Sequence, residues 1–122
     1  MAYLWTTIHV INLKESMSFY TKVLGLKPER EFSPSPHMHI AFLGNGETKI
    51  ELIEASDAPS PNYGQDLSLG FSVSSVEEMI HFLEKEGIPI LAGPLSPNPG
   101  IRFLYILDPN GLKIQLVEQL GS

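Results

Sequence analysis

The side chains able to do chemistry in this sequence fall mainly on short alternating stretches. Glu51, within Lys49-Ile-Glu-Leu-Ile-Glu54, carries a carboxylate that can bind a cation or move a proton. Trp5, within Leu4-Trp-Thr-Thr-Ile-His9, offers a large flat ring that stacks on ligands and attracts cations through its π face. Ser68 and Gln115 add neutral oxygens, and Arg102 and Lys49 are the cations best placed to hold a carboxylate. His37 and His39 fall at a strand start and His81 on the solvent side of a helix, so none is assigned a chemical role. With no cysteine in the chain, a disulfide scaffold, a thiolate metal site and a Cys nucleophile are all excluded.

Composition narrows the class of partner. The 122 residues suffice for one domain with a core, since 43% are apolar and only 18% are charged. The net charge is −6 and the eight Lys and Arg are scattered, which excludes the basic stripe that nucleic acid or an anionic membrane requires. No window approaches the roughly 20 apolar residues of a membrane span. No basic leader followed by an apolar run opens the chain, so a cytoplasmic protein is expected.

The elements that must position these residues occur twice. Lys49-Ile-Glu-Leu-Ile-Glu54 reappears as Lys113-Ile-Gln-Leu-Val-Glu118, each behind an Asn-Gly pair, Asn45-Gly46 and Asn110-Gly111, which signals a hairpin. Asn12 is the expected N-cap of a helix from about Leu13 to Leu24 ended by Gly25, with Leu13, Met17, Tyr20 and Leu24 as its apolar face. Ser75-Val-Glu-Glu78 is a capping box opening a second helix, whose stripe is Val76, Met79, Ile80 and Leu83 and whose stop is Gly87. Strands are expected at about 3–10, 27–32, 37–43 and 47–54, then 66–73, 89–92, 101–107 and 112–118.

This order predicts an α+β fold: two tandem βαβββ modules, about 1–54 and 66–120 with a linker at about 55–65, together forming a single domain. Their sheets are expected to curve into a half-barrel around a cleft. Alternation turns Thr6, Ile8, Val10, Ile50, Leu52, Leu69, Phe71 and Val73 toward the helices. Trp5, Thr7, His9, Glu51, Ser68 and Gly70 then look into the cleft, with Arg102 and Gln115 completing the expected ligand-binding set. The proline-rich runs Ser33–Pro36 and Gly93–Gly100 are read as loops, the second as a lid over the cleft mouth.

Ser16-Met-Ser-Phe-Tyr-Thr-Lys-Val-Leu-Gly-Leu26, Lys49-Ile-Glu-Leu52 and Asp108-Pro-Asn-Gly-Leu-Lys-Ile-Gln-Leu116 together resemble the vicinal oxygen chelate superfamily. That superfamily includes glyoxalase I (lactoylglutathione lyase), bleomycin-resistance proteins and extradiol dioxygenases; the bacterial glyoxalase I branch is most similar. The resemblance spans essentially the whole chain and is specific for fold more than for reaction. In metal-dependent members four ligands converge, and the resemblance places those positions on Trp5, Glu51, Ser68 and Gln115. Only Glu51 is a good ligand, because an indole N–H is a donor with no available lone pair. His9 lies roughly 13 Å along the strand from Trp5 at about 3.3 Å per residue, too far to replace it. A two-ligand set of Glu51 and His39 stays open. No cofactor is therefore expected, a Ni²⁺ or Zn²⁺ ion being the alternative.

Three functions follow from these residues and the resemblance. The first is metal-free binding or sequestration of a small aromatic or cationic compound, the acidic balance suiting a positive guest. The second is a divergent lactoylglutathione lyase acting on a thiol-derived hemithioacetal, with Glu51 as the catalytic base. The third is a regulatory or structural subunit with a vestigial cleft. The partners implied are a small-molecule ligand and a second copy of the chain in a homodimer.

Overall fold

The computed structural model describes residues 1–46 and 48–120, which divide into two compact units at Asn62/Tyr63. The first unit runs β1 (Trp5–His9), α1 (Leu13–Ser18) extended by a π-helical turn (Phe19–Val23), β2 (Pro28–Ser35), β3 (Met38–Leu43) and β4 (Lys49–Ala55). Its sheet has the order β1-β4-β3-β2, with β1 parallel to β4 and the other pairs antiparallel. The second unit repeats the plan with β5 (Ser68–Ser72), α2 (Val76–Glu86), β6 (Ala92–Asn98), β7 (Ile101–Leu107) and β8 (Lys113–Gln119), in the order β5-β8-β7-β6. The fold is thus α+β, two tandem βαβββ modules, each with its own open four-stranded mixed sheet. The expected start of β4 at Glu47 lies outside the described residues. Among the described residues no helix is long and apolar enough to cross a membrane.

Both helices begin at the predicted caps. Asn12 Oδ1 accepts from the Glu15 N–H at 2.9 Å, and Ser75 Oγ from the Glu78 N–H at 3.1 Å. A second acceptor reaches each helix from the sheet. Glu54 Oε1, near the end of β4, accepts from Leu13 N at 2.6 Å, and Glu118 Oε1, near the end of β8, accepts from Val76 N at 2.7 Å. The last residue of the KIELIE and KIQLVE repeats therefore does the same work in each unit: it gives an orphan helix N–H a charged partner. Gly87 closes α2 at φ 71, the left-handed geometry a C′ glycine allows.

The first helix departs from its predicted regular form. The Thr21 hydroxyl donates to the Met17 carbonyl at 2.7 Å, and Leu24 N reaches back to the Phe19 carbonyl, one residue farther than an α-helix allows. This widened turn changes the buried face: Leu13, Ser16, Phe19 and Tyr20 are buried, while Met17 and Leu24 are only half-buried.

The two proline-rich runs are strands, which corrects the reading of Gly93–Gly100 as a lid and of Ser33–Pro36 as a loop. Ser33 to Ser35 belong to β2, and Gly93 to Asn98 to β6. Both are edge strands with register shifts, where a missing N–H can face away from the ladder and proline is tolerated. At Gly93, φ is +97 and a Cβ would meet the Phe103 carbonyl oxygen at 3.0 Å, so only glycine lets β6 approach β7 there.

Side chains, rather than a two-residue turn, shape the loops behind the Asn-Gly pairs. Asn45 Oδ1 accepts from Lys27 N and its amide donates to the Gly25 carbonyl, joining the hairpin to the end of the first helix. Asp108 is buried, and its Oδ1 accepts from Asn110 N and Leu112 N, both at 2.8 Å. Burial, with the Asp108 charge adding to it, pushes the Tyr63 hydroxyl from 10.0 up to about 12.

Two outcomes follow from these contacts. Glu54→Ala and Glu118→Ala should each cost about 1–2 kcal/mol in urea unfolding, the loss of a charged helix cap, and Glu54→Gln, which keeps an acceptor, should cost less. A raised phenol pKa favours the neutral form in the folded unit. Its contribution is therefore full below pH 10 and is lost as pH rises through about 12. In ultraviolet titration, Tyr63→Phe should remove one late-ionising phenol step that the unaltered protein shows.

Candidate ligand-binding site

The sheet of the first unit has two unlike faces. Alternation turns Thr6, Ile8, Ile50 and Leu52 toward α1, where Ile8, Ile50 and Leu52 are buried. Trp5, Thr7, His9, Lys49, Glu51 and Ile53 take the other face. The parallel register sets them in rungs, with Trp5 beside Lys49, Thr7 beside Glu51 and His9 beside Ile53. Within the middle rung the Thr7 hydroxyl donates to Glu51 Oε1 at 2.6 Å. The next strands continue that rung, since Glu51 pairs with Phe42 on β3 and Phe42 with Arg30 on β2.

An aromatic cluster is built on this ladder. Trp5 meets Phe42 edge-on, with ring centres 5.2 Å apart and planes at 79°, and Phe32 lies nearly parallel to Phe42 at 6.5 Å. Phe42 is buried, yet Trp5 keeps 43% of its surface exposed, so the indole is a wall rather than a core residue. The Arg30 guanidinium carbon sits 4.8 Å from the Phe32 ring centre and 5.1 Å from that of Phe42. Lys49 is ion-paired with Glu29. Leu4, Trp5, Glu29, Arg30, Phe42 and Lys49 line a pocket of about 310 Å³.

The eight residues expected to bind ligand are distributed between the units. Trp5, Thr7, His9 and Glu51 share one face of the first sheet, with Thr7 and Glu51 in contact. In the second unit Ser68, Gly70 and Gln115 share the face turned away from α2: Gly70 pairs with Gln115, and a Cβ on Gly70 would lie 3.6 Å from Gln115 Oε1. Arg102 does not join them. It pairs with Glu118 and has the same parity as the buried Leu104 and Ile106, which places it on the helix-packed face while Tyr105 stands beside Gln115. The expectation that Arg102 shares the binding face is corrected, as one residue of parity reverses the face.

The two-ligand set of Glu51 and His39 is corrected on the same ground. His39 pairs with Glu54, whose carboxylate reaches α1, whereas Glu51 pairs with Phe42 on the opposite face. His39 Nδ1 is instead hydrogen-bonded to Ser33 Oγ at 2.6 Å. Among the described residues no three His, Asp or Glu side chains gather into a set able to hold a metal ion.

Sequence reasoning missed Arg30 and Phe42, which complete the pocket beside Trp5. The alternation Arg30-Glu31-Phe32 signals one side of β2, but β3 reads Ile40-Ala-Phe-Leu43, apolar at every position, and conceals which residues face the ligand side. It also missed the second unit's pair Phe103 and Tyr105, with ring centres 5.8 Å apart and the Lys113 ammonium 5.4 Å from the Tyr105 ring.

Comparison with known proteins places the chain in context. The family model of the Glyoxalase/Bleomycin resistance protein/Dioxygenase superfamily matches residues 3–116. The lactoylglutathione lyase of Escherichia coli O157:H7 is 31% identical over 98% of this chain and 93% of its own length. Among solved structures, a trypanothione-dependent glyoxalase I of Leishmania major superposes with a TM-score of 0.83 at 27% identity, covering 97% of this chain and 86% of its own. A glyoxalase family protein from Enterococcus faecalis has a TM-score of 0.76 at 27% identity, covering 96% and 97%.

Phe42 carries both the edge of Trp5 and the guanidinium of Arg30, so its truncation should be felt at both. Phe42→Leu should cost about 1 kcal/mol in stability and shift the emission of the single tryptophan to longer wavelength as the indole loses its apolar neighbour. An unchanged emission spectrum in the folded variant would contradict this account of the wall.

Proposed function

This chain belongs to the Glyoxalase/Bleomycin resistance protein/Dioxygenase superfamily, and from that membership we propose that it binds a small aromatic compound without the help of a metal ion. The observation carrying this reading is the exposed Trp5 ring standing edge-on to Phe42 at the wall of the pocket. The resemblance puts Trp5 where metal-dependent members carry a ligand. An indole N–H cannot coordinate, and of the other positions the resemblance gives, Ser68 and Gln115 supply only a neutral hydroxyl and a neutral carbonyl, which leaves Glu51 as the one carboxylate of the set. This donor set does not fit a tightly held Ni²⁺ or Zn²⁺. A cationic guest would have the net charge and the π face of Trp5 in its favour, but the pocket lining holds two cations against one anion.

A second reading has one observation in its favour. Glu51 keeps a carboxylate on the ligand-side face, held by the Thr7 hydroxyl, and the E. coli relative is a lactoylglutathione lyase. On that reading Glu51 moves the proton of a hemithioacetal. The homodimer expected from the resemblance belongs to either reading, and light scattering of the purified chain tests it.

The two functions separate by experiment. After exposure to Ni²⁺ or Zn²⁺ and desalting, elemental analysis should find no stoichiometric metal. The hemithioacetal of methylglyoxal and glutathione should not be turned over, and small aromatic compounds should quench Trp5. One tight metal ion per chain, together with turnover abolished in Glu51→Gln, would instead establish the lyase.

A further inference from the structure

The pocket beside Trp5 has a local charge opposite to that of the chain. Overall the net charge is −6, yet the lining carries Arg30, Lys49 and Glu29. Lys49 and Glu29 are paired and cancel each other. The guanidinium of Arg30 lies over the rings of Phe32 and Phe42, and among the described residues no carboxylate is ion-paired with it. A guanidinium held over aromatic rings spends no N–H donor on them and keeps the fork geometry that takes a carboxylate at two oxygens. Stacking also restrains a long side chain before any ligand arrives, so less freedom is lost on binding.

The rest of the pocket fits a flat ring. Trp5 and Phe42 meet at 79° and form a corner, so a planar guest can lie against one ring while its edge meets the other. Glu51, on the rung shared with Phe42, sets the direction. Its carboxylate already accepts from Thr7, and it repels a second anion. A guest with one negative end is thereby turned with that end toward Arg30.

We propose that this pocket is a subsite for a planar aromatic monocarboxylate, with its ring in the corner of Trp5 and Phe42 and its carboxylate held at two oxygens by Arg30. The proposal rests on the reading that the first unit's sheet binds a small molecule without metal, and it names the chemical class of that molecule.

Three probes with one ring system test it: indole-3-acetate, the neutral tryptophol and the cationic tryptamine. Because Trp5 is the single tryptophan, its indole N–H gives one cross-peak in a ¹⁵N-labelled sample, and the unlabelled probes add none. Indole-3-acetate should shift that peak saturably, binding about tenfold more tightly than tryptophol, with tryptamine weaker still. Arg30→Gln should bring indole-3-acetate to the affinity of tryptophol, and Arg30→Lys should restore part of the difference, with the rest of the spectrum confirming that both variants are folded. The proposal is overturned if tryptamine binds as well as indole-3-acetate, if the preference survives Arg30→Gln, or if no probe moves the peak. Metal analysis and the hemithioacetal assay decide the underlying reading separately. A guest of another class quenching Trp5 in metal-free protein would defeat this proposal alone.

Discussion

One contact, made twice, fixes the orientation of every strand that matters. Glu54 and Glu118 each lend a carboxylate oxygen to the first N–H of the helix packed on their own sheet. That N–H has no partner within the helix, and the apolar residues around it offer none. Because side chains alternate in a strand, directing Glu54 at α1 directs Leu52 and Ile50 the same way and turns Ile53, Glu51 and Lys49 to the opposite face. Through the parallel pairing, β1 inherits the same parity, with Ile8 beside Leu52 and Thr7 beside Glu51. A one-residue slip would remove the cap, bring Leu52 out of the core and press Glu51 against the helix, three penalties incurred together.

This constraint leaves the ligand-side face free to vary. Residues 5, 7, 49 and 51 lie on the face turned away from the helix and take no part in its cap, so the scaffold does not dictate their identity. On the proposed reading, tryptophan stands at a position that the resemblance gives to a metal ligand, and its neighbours decide what it does there. Phe42 and Phe32 make it part of an aromatic wall, and Arg30 sits on that wall with its charge unspent by any ion pair among the described residues. Net charge acts on a ligand at long range and is screened over about 8 Å at physiological salt, whereas the lining acts at contact. An acidic chain can therefore carry a locally cationic pocket.

The extent to which the sequence disclosed this depended on how each residue's role is encoded. The duplication, the caps at Asn12 and Ser75 and the stop at Gly87 were legible, because they are local signals that tertiary packing reinforces. The paired faces of β1, β4 and β5 were legible from clean alternation. What was hidden lay where two demands met on one residue. Prolines on β2 and β6 read as loops because proline is excluded from central strands, and only the sheet order reveals that both are edges. Arg102 was misplaced because β7, Ile-Arg-Phe-Leu-Tyr-Ile-Leu, is apolar on both faces and its parity is set by β8. Arg30 and Phe42 escaped because the pocket is defined by pairing across three strands, which no spacing within one strand records.

On the proposed reading, Glu51 is a carboxylate that serves binding without metal chemistry. An isomerisation through an enediolate needs the developing charge stabilised by several kcal/mol, which a divalent ion at the reacting oxygens supplies. On the proposed reading, the neutral hydroxyl of Thr7 is the group that contacts Glu51, and it donates to the carboxylate itself rather than to a substrate oxygen. The bond holds an anion in place and does nothing for a charge forming elsewhere. A fixed carboxylate at one end of an aromatic face and a stacked guanidinium at the other create a directional field, and such a field orients a guest without activating it. On that reading the carboxylate held by Thr7 is the repelling end of a binding site and Arg30 the attracting end.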